Sequence, residues 1–458
     1  MANKNEEGKK TKKPWIRKRV WIPIVAVLAA GSALFTPLPE PKNLFEYRRQ
    51  GQYLEDFLNQ RDNAFHDYMY AARISIPFSR ENCEGERYNK LQKEFNALYS
   101  SEKKQEEISK EIVKYVEENK PALDIVRVGL TREKCESPEI RGPDEELPYL
   151  AQFRNLARLF ILDGKIKETK GNIDGAMQDY YDALNFGNDI PRGGYLIHGL
   201  VGIAVQQMAI DAVKQNLNDL NESQLSKVIQ EFDNAEKNAV QFIDVMKPEI
   251  KTIKKYTTIL LRNRADVANA LTDKGNVTIP GINITVPKTF AVNACWLYLN
   301  ARRGMMHQTF DEFEKLSLKV AELPSNCDEE KMINEYLEEK DGPIMRNPVL
   351  RILVPALGRA KEAFSKRDAI LEGVKLRAAA KIYEKRNNKQ IDNLSQLVDS
   401  GIIDKIPRDP FSNKPFSYID GKIYSYGHDL DDDKAVKNAF DRDERGKSGI
   451  RGNGDMVF

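Results

Sequence analysis

The stretch RDPFSNKPFSYIDGKIYSYGHD, Arg408–Asp429, interrupts a chain patterned for helix from Leu44 to about Lys385, and its reading decides the fold. Pro407, Pro410 and Pro415 have no N–H to give to a ladder, so they frame strand ends and turns. Phe416, Tyr418, Ile423, Tyr424 and Tyr426 then supply two short strands around a turn at Asp420-Gly421. Upstream, helical pattern resumes after Pro355, and Phe364, Leu371, Val374, Ala378 and Ile382 form one apolar stripe ending near Arg386. One amphipathic helix lying on a small antiparallel sheet buries both stripes with the fewest elements.

Working toward the N-terminus, most segments keep the helical period, broken by Pro, Gly and Asn. In FILDGKIKETKGNIDGAMQDYYDAL, Phe160–Leu184, the residues Gly164, Gly171, Ala176, Tyr180, Ala183 and Leu184 fall at the spacings of a tetratricopeptide hairpin. This resembles a single TPR-like pair, in which small residues let two helices approach and Tyr180 fills the gap. An ordinary helical hairpin is the alternative, because no repeat follows. Gly199–Val213 is apolar on nearly every face, which places it at the centre of a helical bundle, with His198 before it as a core or capping group. Asn276–Pro287, NVTIPGINITVP, alternates apolar residues about Pro280-Gly281 and reads as a β-hairpin.

The last ninety or so residues, Arg367–Phe458, carry a resemblance. A helix ends in Ala379–Tyr383 and is followed by Leu394, Leu397 and Val398. The series Pro407, Asp409, Pro410, Phe411, Asn413, Pro415, Phe416 comes next, then Ile423–Gly427 and a terminal Asp455-Met456. In this the segment resembles the C-terminal part of the major pseudopilin of type II secretion systems. The resemblance implies calcium in the acidic loop, with Asp429 and Asp455 at the matching aspartates and Asp431 and Asp433 available beside them. Leu430 stands where that family has glycine, and the longer loop carries Lys434, Lys437, Arg442, Arg445, Lys447 and Arg451, cations that offer the aspartates an alternative counter-charge. The front of the chain also departs from a pseudopilin, because no processing glycine precedes the apolar segment. The chain as a whole is similar to bacterial envelope proteins that combine such a helical region with this ending and have no assigned activity.

That apolar segment is Val20–Pro39, which contains no charged side chain and follows a tail with eight Lys or Arg between Lys4 and Arg19. About twenty such residues cross a bilayer as a helix, and the basic flank holds its side in the cytoplasm. Gly31-Ser32-Ala33 offers a cleavage site instead, but the apolar run continues through Leu34 and Phe35, which favours an uncleaved anchor. In either case the remainder lies outside the cytoplasm. The expected localisation is the bacterial inner membrane, single-pass, with the bulk periplasmic. The four cysteines, Cys83, Cys135, Cys295 and Cys327, are disulfide candidates there, with local pairing (83 with 135, 295 with 327) preferred and reduced buried thiols as the alternative.

The fold class expected is therefore mainly α, in four parts. These are a cytoplasmic basic tail (1–19), a transmembrane signal anchor (20–39), an extracytoplasmic helical domain with the hairpin at 276–287 (40–365), and a pseudopilin-like helix plus antiparallel sheet (366–458). With 71 Lys and Arg against 69 Asp and Glu, the net charge of +2 gathers no nucleic acid. G-x-S-x-G, H-E-x-x-H and phosphate-loop patterns are missing, and the four histidines lie in separate segments. The function expected is thus a membrane-anchored structural or protein-interaction protein, not an enzyme, with calcium as its one candidate cofactor and the bilayer and unidentified proteins as partners. An accessory component of a type II secretion or pilus-like system is the alternative, and an extracytoplasmic enzyme with an unrecognised site is a second.

Overall fold

The computed structural model describes residues 62–76, 108–139, 147–260, 276–279, 284–287, 303–325, 348–430, 432, 434–435 and 455–458, with single positions at 89, 92–94, 98, 293, 297 and 333. The basic tail, the apolar segment 20–39, Cys83, Cys295, Cys327, Asp431 and Asp433 lie outside the described residues. By its internal contacts the chain divides into two units, 1–49 with 254–307 and 50–253 with 308–458. In the smaller unit, β1 (Asn276–Ile279) and β2 (Ile284–Pro287) pair antiparallel, with Val277 opposite Val286 and Ile279 opposite Ile284.

The larger unit is helical. Its elements are α1 (Ala64–Ile74), α2 (Lys110–Leu130), α3 (Pro148–Thr169), α4 (Ile173–Asp189), α5 (Leu196–Asn216) and α6 (Glu222–Lys237). Then come α7 (Phe242–Leu260) and α8 (Arg303–Glu322), each reaching into the smaller unit's range, and α9 (Pro348–Asn387) with the short α10 (Ser395–Asp399). A three-stranded antiparallel sheet closes the chain: β3 (Ser417–Ile419), β4 (Lys422–Ser425) and β5 (Met456–Val457), in that order.

Small residues set the helix spacings. A Cβ at Gly164 on α3 would run into the Tyr180 ring on α4, so these two helices meet at glycine. Between them Gly171 takes φ +73°, and Asn172 caps α4 by accepting a hydrogen bond from the Gly175 N–H at 3.0 Å. Further along, Gly187 of α4 and Gly202 of α5 let the two backbones touch, since a Cβ on either would strike the other's chain. At 21 residues α5 is long and apolar enough to cross a membrane, but 61% of its most apolar window is buried inside the protein, against α3, α4 and α9.

The organising element is α9, a single 40-residue helix with Pro355 inside it, so the helix begins earlier than the sequence pattern indicates. An internal proline removes one backbone hydrogen bond from the helix. At about 100° per residue, Ile370, Leu371, Val374, Ala378 and Ile382 occupy one face, which joins the core of α1 to α6. Ala369, Leu376 and Ala379 occupy the opposite face and join Ile391, Leu394, Leu397, Phe411, Phe416 and Ile423 beneath the sheet. The boundary anticipated between 365 and 366 therefore falls within one helix, which serves both cores.

The quoted stretch folds around Asp409, a buried carboxylate. Its Oδ1 accepts from the Ser425 hydroxyl at 2.8 Å and the Phe411 N–H at 3.2 Å, and its Oδ2 accepts from the Ser412 hydroxyl at 2.8 Å. The β3–β4 turn sits at Asp420 and Gly421, both at positive φ (+47° and +80°), the geometry a tight antiparallel hairpin favours.

Candidate functional site: a charged groove along α9

Between the two apolar faces of α9 run two seams, and charged residues fill both. On one seam Asp368, Glu372 and Lys375 follow each other at helical spacing. Facing them from α6 are Asp233 and Glu236, one turn apart. The Lys375 ammonium donates to Asp233 Oδ1 at 2.8 Å and Glu236 Oε2 at 2.5 Å, and pairs with Glu372 Oε2 at 2.9 Å. Below this cluster the buried Arg367 forks onto Asp368, with Nε at 2.8 Å and Nη2 at 2.7 Å from Oδ1, and gives Nη1 to the Val240 carbonyl at 3.0 Å.

This packing perturbs the acids. Burial, followed by the hydrogen bond shared with Glu236, pushes the Glu372 carboxyl up to about 7 despite Lys375 beside it. Burial works the same way on Glu236, but hydrogen bonds from Glu372 and Lys375 outweigh it and hold that carboxylate below its ordinary value. The two glutamates therefore form a pair that holds one proton between them near neutrality. Burial opposes the Lys375 charge, yet its carboxylate neighbours prevail and raise its pKa. Asp368 is raised by burial, with Arg367 acting against the shift.

The cluster lies along a groove of about 850 Å³. One wall is α6 through Ile229, Asp233, Glu236 and Lys237; the floor is α9; the other wall is the loop carrying Ile402, Ile403, Ile406, Pro407 and Pro410, with Asp404, Lys405 and Arg408 among them. The groove thus pairs an apolar wall with a carboxylate-rich one. Its lysine sits at the centre of three carboxylates, and the glutamate pair can take up or release a proton.

Asp429 is partly buried after β4, while Asp455 enters β5 with its Oδ2 accepting from the Ala435 N–H at 2.8 Å. The nearby Asp432 accepts from the Tyr424 hydroxyl and the Lys434 N–H, each at 3.0 Å. Among the described residues, which exclude Asp431 and Asp433, no three His, Cys, Asp or Glu side chains converge as metal ligands. Cys135 is a free thiol lying 3.5 Å from the Asp189 carbonyl. His198 caps α5: its Nδ1 accepts from the Tyr195 N–H at 3.2 Å, its Nε2 lies 2.9 Å from the Tyr149 hydroxyl, and burial lowers its pKa to about 4.

A second charged cluster sits on the α3–α4 hairpin, where Arg127 of α2 reaches Asp179 at 2.9 Å and Asp182 at 3.0 Å, and Lys167 bridges Asp179 and Asp163 at 2.6 and 3.0 Å. Burial lifts Asp179 to about 6. Each acid here is held by a cation, and the cluster ties α2 to the helix pair.

Comparison of the chain with family models, with curated proteins and with solved structures found no match.

Proposed function

We propose that the chain is a membrane-anchored extracytoplasmic protein-interaction protein, held by its apolar segment at 20–39, whose helical scaffold and C-terminal module hold a partner's extended segment in the groove beside α9. The carrying observation is the two-sided chemistry of that groove: Asp233, Glu236, Asp368 and Glu372 along the helices, and Ile402, Ile403 and Ile406 across from them. A volume of about 850 Å³ falls within the range of clefts that bury a ligand. A segment with a Lys or Arg beside an aliphatic side chain meets both walls, its cation beside Asp233 and Glu236, whose side chains stay 41% and 38% exposed.

Two features support the architecture in this reading. The close Gly164–Tyr180 contact is the kind a TPR-like pair uses. The Asp409-centred loop and a last strand entered by Asp455 involve residues that carry the pseudopilin resemblance.

The test is fluorescence polarisation with the full chain and two labelled peptides, one alternating Lys with Ile and one alternating Glu with Ile. The Lys peptide should bind saturably, the Glu peptide at least tenfold more weakly, and Ile403→Asp should cost the Lys peptide at least tenfold. Equal binding of both peptides, no binding of either, or indifference to Ile403→Asp would overturn the assignment.

A further inference from the structure

The opposite seam of α9 carries Arg377 and Lys381, and it differs from the first in one respect: among the described residues its guanidinium has no counter-charge. Arg377 is partly buried at the floor of a cavity of about 280 Å³, whose lining includes Asn218 after α5, Gln390, and Tyr418 and Lys422 from the sheet. Among the described residues no hydrogen bond or ion pair reaches Arg377. Glu384, the one carboxylate side chain among the described residues lining the cavity, is taken by Lys381 at 2.8 Å, and Phe458 also lines it. The Tyr418 hydroxyl is also committed, donating to the Ile391 carbonyl at 2.7 Å.

Two general facts give this arrangement meaning. A cation withdrawn from water without a partner is costly, and burial lowers the Arg377 pKa, with no acid among the described residues to restore it. A lysine in that position can discharge itself by losing its proton; an arginine cannot within any physiological range. The charge therefore stays, beside a second cation at Lys422 on the exposed rim and amide donors at Asn218 and Gln390. A planar fork of N–H donors facing into a cavity matches the geometry of a carboxylate or phosphate group.

We infer that this cavity is a binding site for a small oxyanion, a carboxylate or phosphate group seated on Arg377 and flanked by Lys422. The site is independent of the groove on the other side of α9 and of any partner bound there.

The full chain is titrated calorimetrically at fixed ionic strength with inorganic phosphate in one arm and benzoate in the other, which separates the two sources of the oxyanion. At least one should bind one-to-one. Arg377→Met should weaken that binding at least tenfold, and Arg377→Lys should retain part of it. Lys422→Gln, at an exposed position that leaves the fold alone, should weaken it severalfold and carries the test if Arg377→Met proves misfolded by circular dichroism. Absence of binding in both arms, or equal binding by the wild type and Lys422→Gln, would overturn the inference; so would equal binding by a folded Arg377→Met chain.

Discussion

Gly373 lies beneath the ring of Phe458, so close that a Cβ at residue 373 would fall within touching distance of three ring carbons. The contact fastens β5 to α9, because the Phe458 N–H also donates to the Ile423 carbonyl at 2.9 Å and the ring stands edge-on to Phe416 at 5.9 Å. Gly373→Ala should therefore destabilise by about 1–3 kcal/mol in denaturant titrations, although alanine is the better helix former. In a Phe458→Ala background the sign should reverse, with Gly373→Ala neutral or stabilising by up to about 1 kcal/mol. Stabilisation in the wild-type background would remove the contact.

Asp409 joins its loop to β4 through the Ser425 hydroxyl. Asp409→Ala leaves the buried Ser425 hydroxyl and the Phe411 and Ser412 N–H groups without their acceptor, at a cost of about 2–4 kcal/mol. Asp409→Asn keeps one acceptor oxygen and should cost about half as much. Because α9 serves the sheet and the bundle alike, unfolding followed at the sheet and at the helices should still coincide; a separate early transition would contradict a shared core.

The glutamate pair makes stability depend on pH. Glu372 keeps its proton up to about 7 in the folded chain, against an ordinary value of 4.5, so the folded state binds more protons in that window and stability falls as pH rises through it. His198 acts in the other direction between about 4 and 6.5, since its neutral ring is the buried form. The difference between wild type and Glu372→Gln isolates the first effect. It should show the wild type losing about 1–2 kcal/mol relative to the variant between pH 5 and 7.5. A flat difference curve would mean that the pair does not share a proton.

How much of this was legible in the sequence varied with the length of the signal. The β3–β4 hairpin announced itself through Asp420-Gly421 and alternating aromatics, and the α3–α4 contact through Gly164 and Tyr180, because turn chemistry and a missing side chain are local. Strand β5, at two residues, is too short to carry any period. The second apolar face of α9 escaped because Ala369 and Ala379 are small and charged residues intervene, so only the stripe through Leu371 and Val374 stood out. The groove was invisible for a related reason. With 31% charged residues, pairs such as Asp233 with Glu236 and Glu372 with Lys375 occur throughout the chain, and only the packing of α6 on α9 brings these four together.

The proposed tether at residues 20–39 is expected to carry the rest of the chain across a bilayer. Alkaline phosphatase, active only outside the cytoplasm, fused after Phe458 of the full chain in a bacterial host measures this directly. High phosphatase activity in a membrane fraction that resists carbonate extraction is the predicted result. An inactive fusion recovered whole from the soluble cytoplasmic fraction would contradict it.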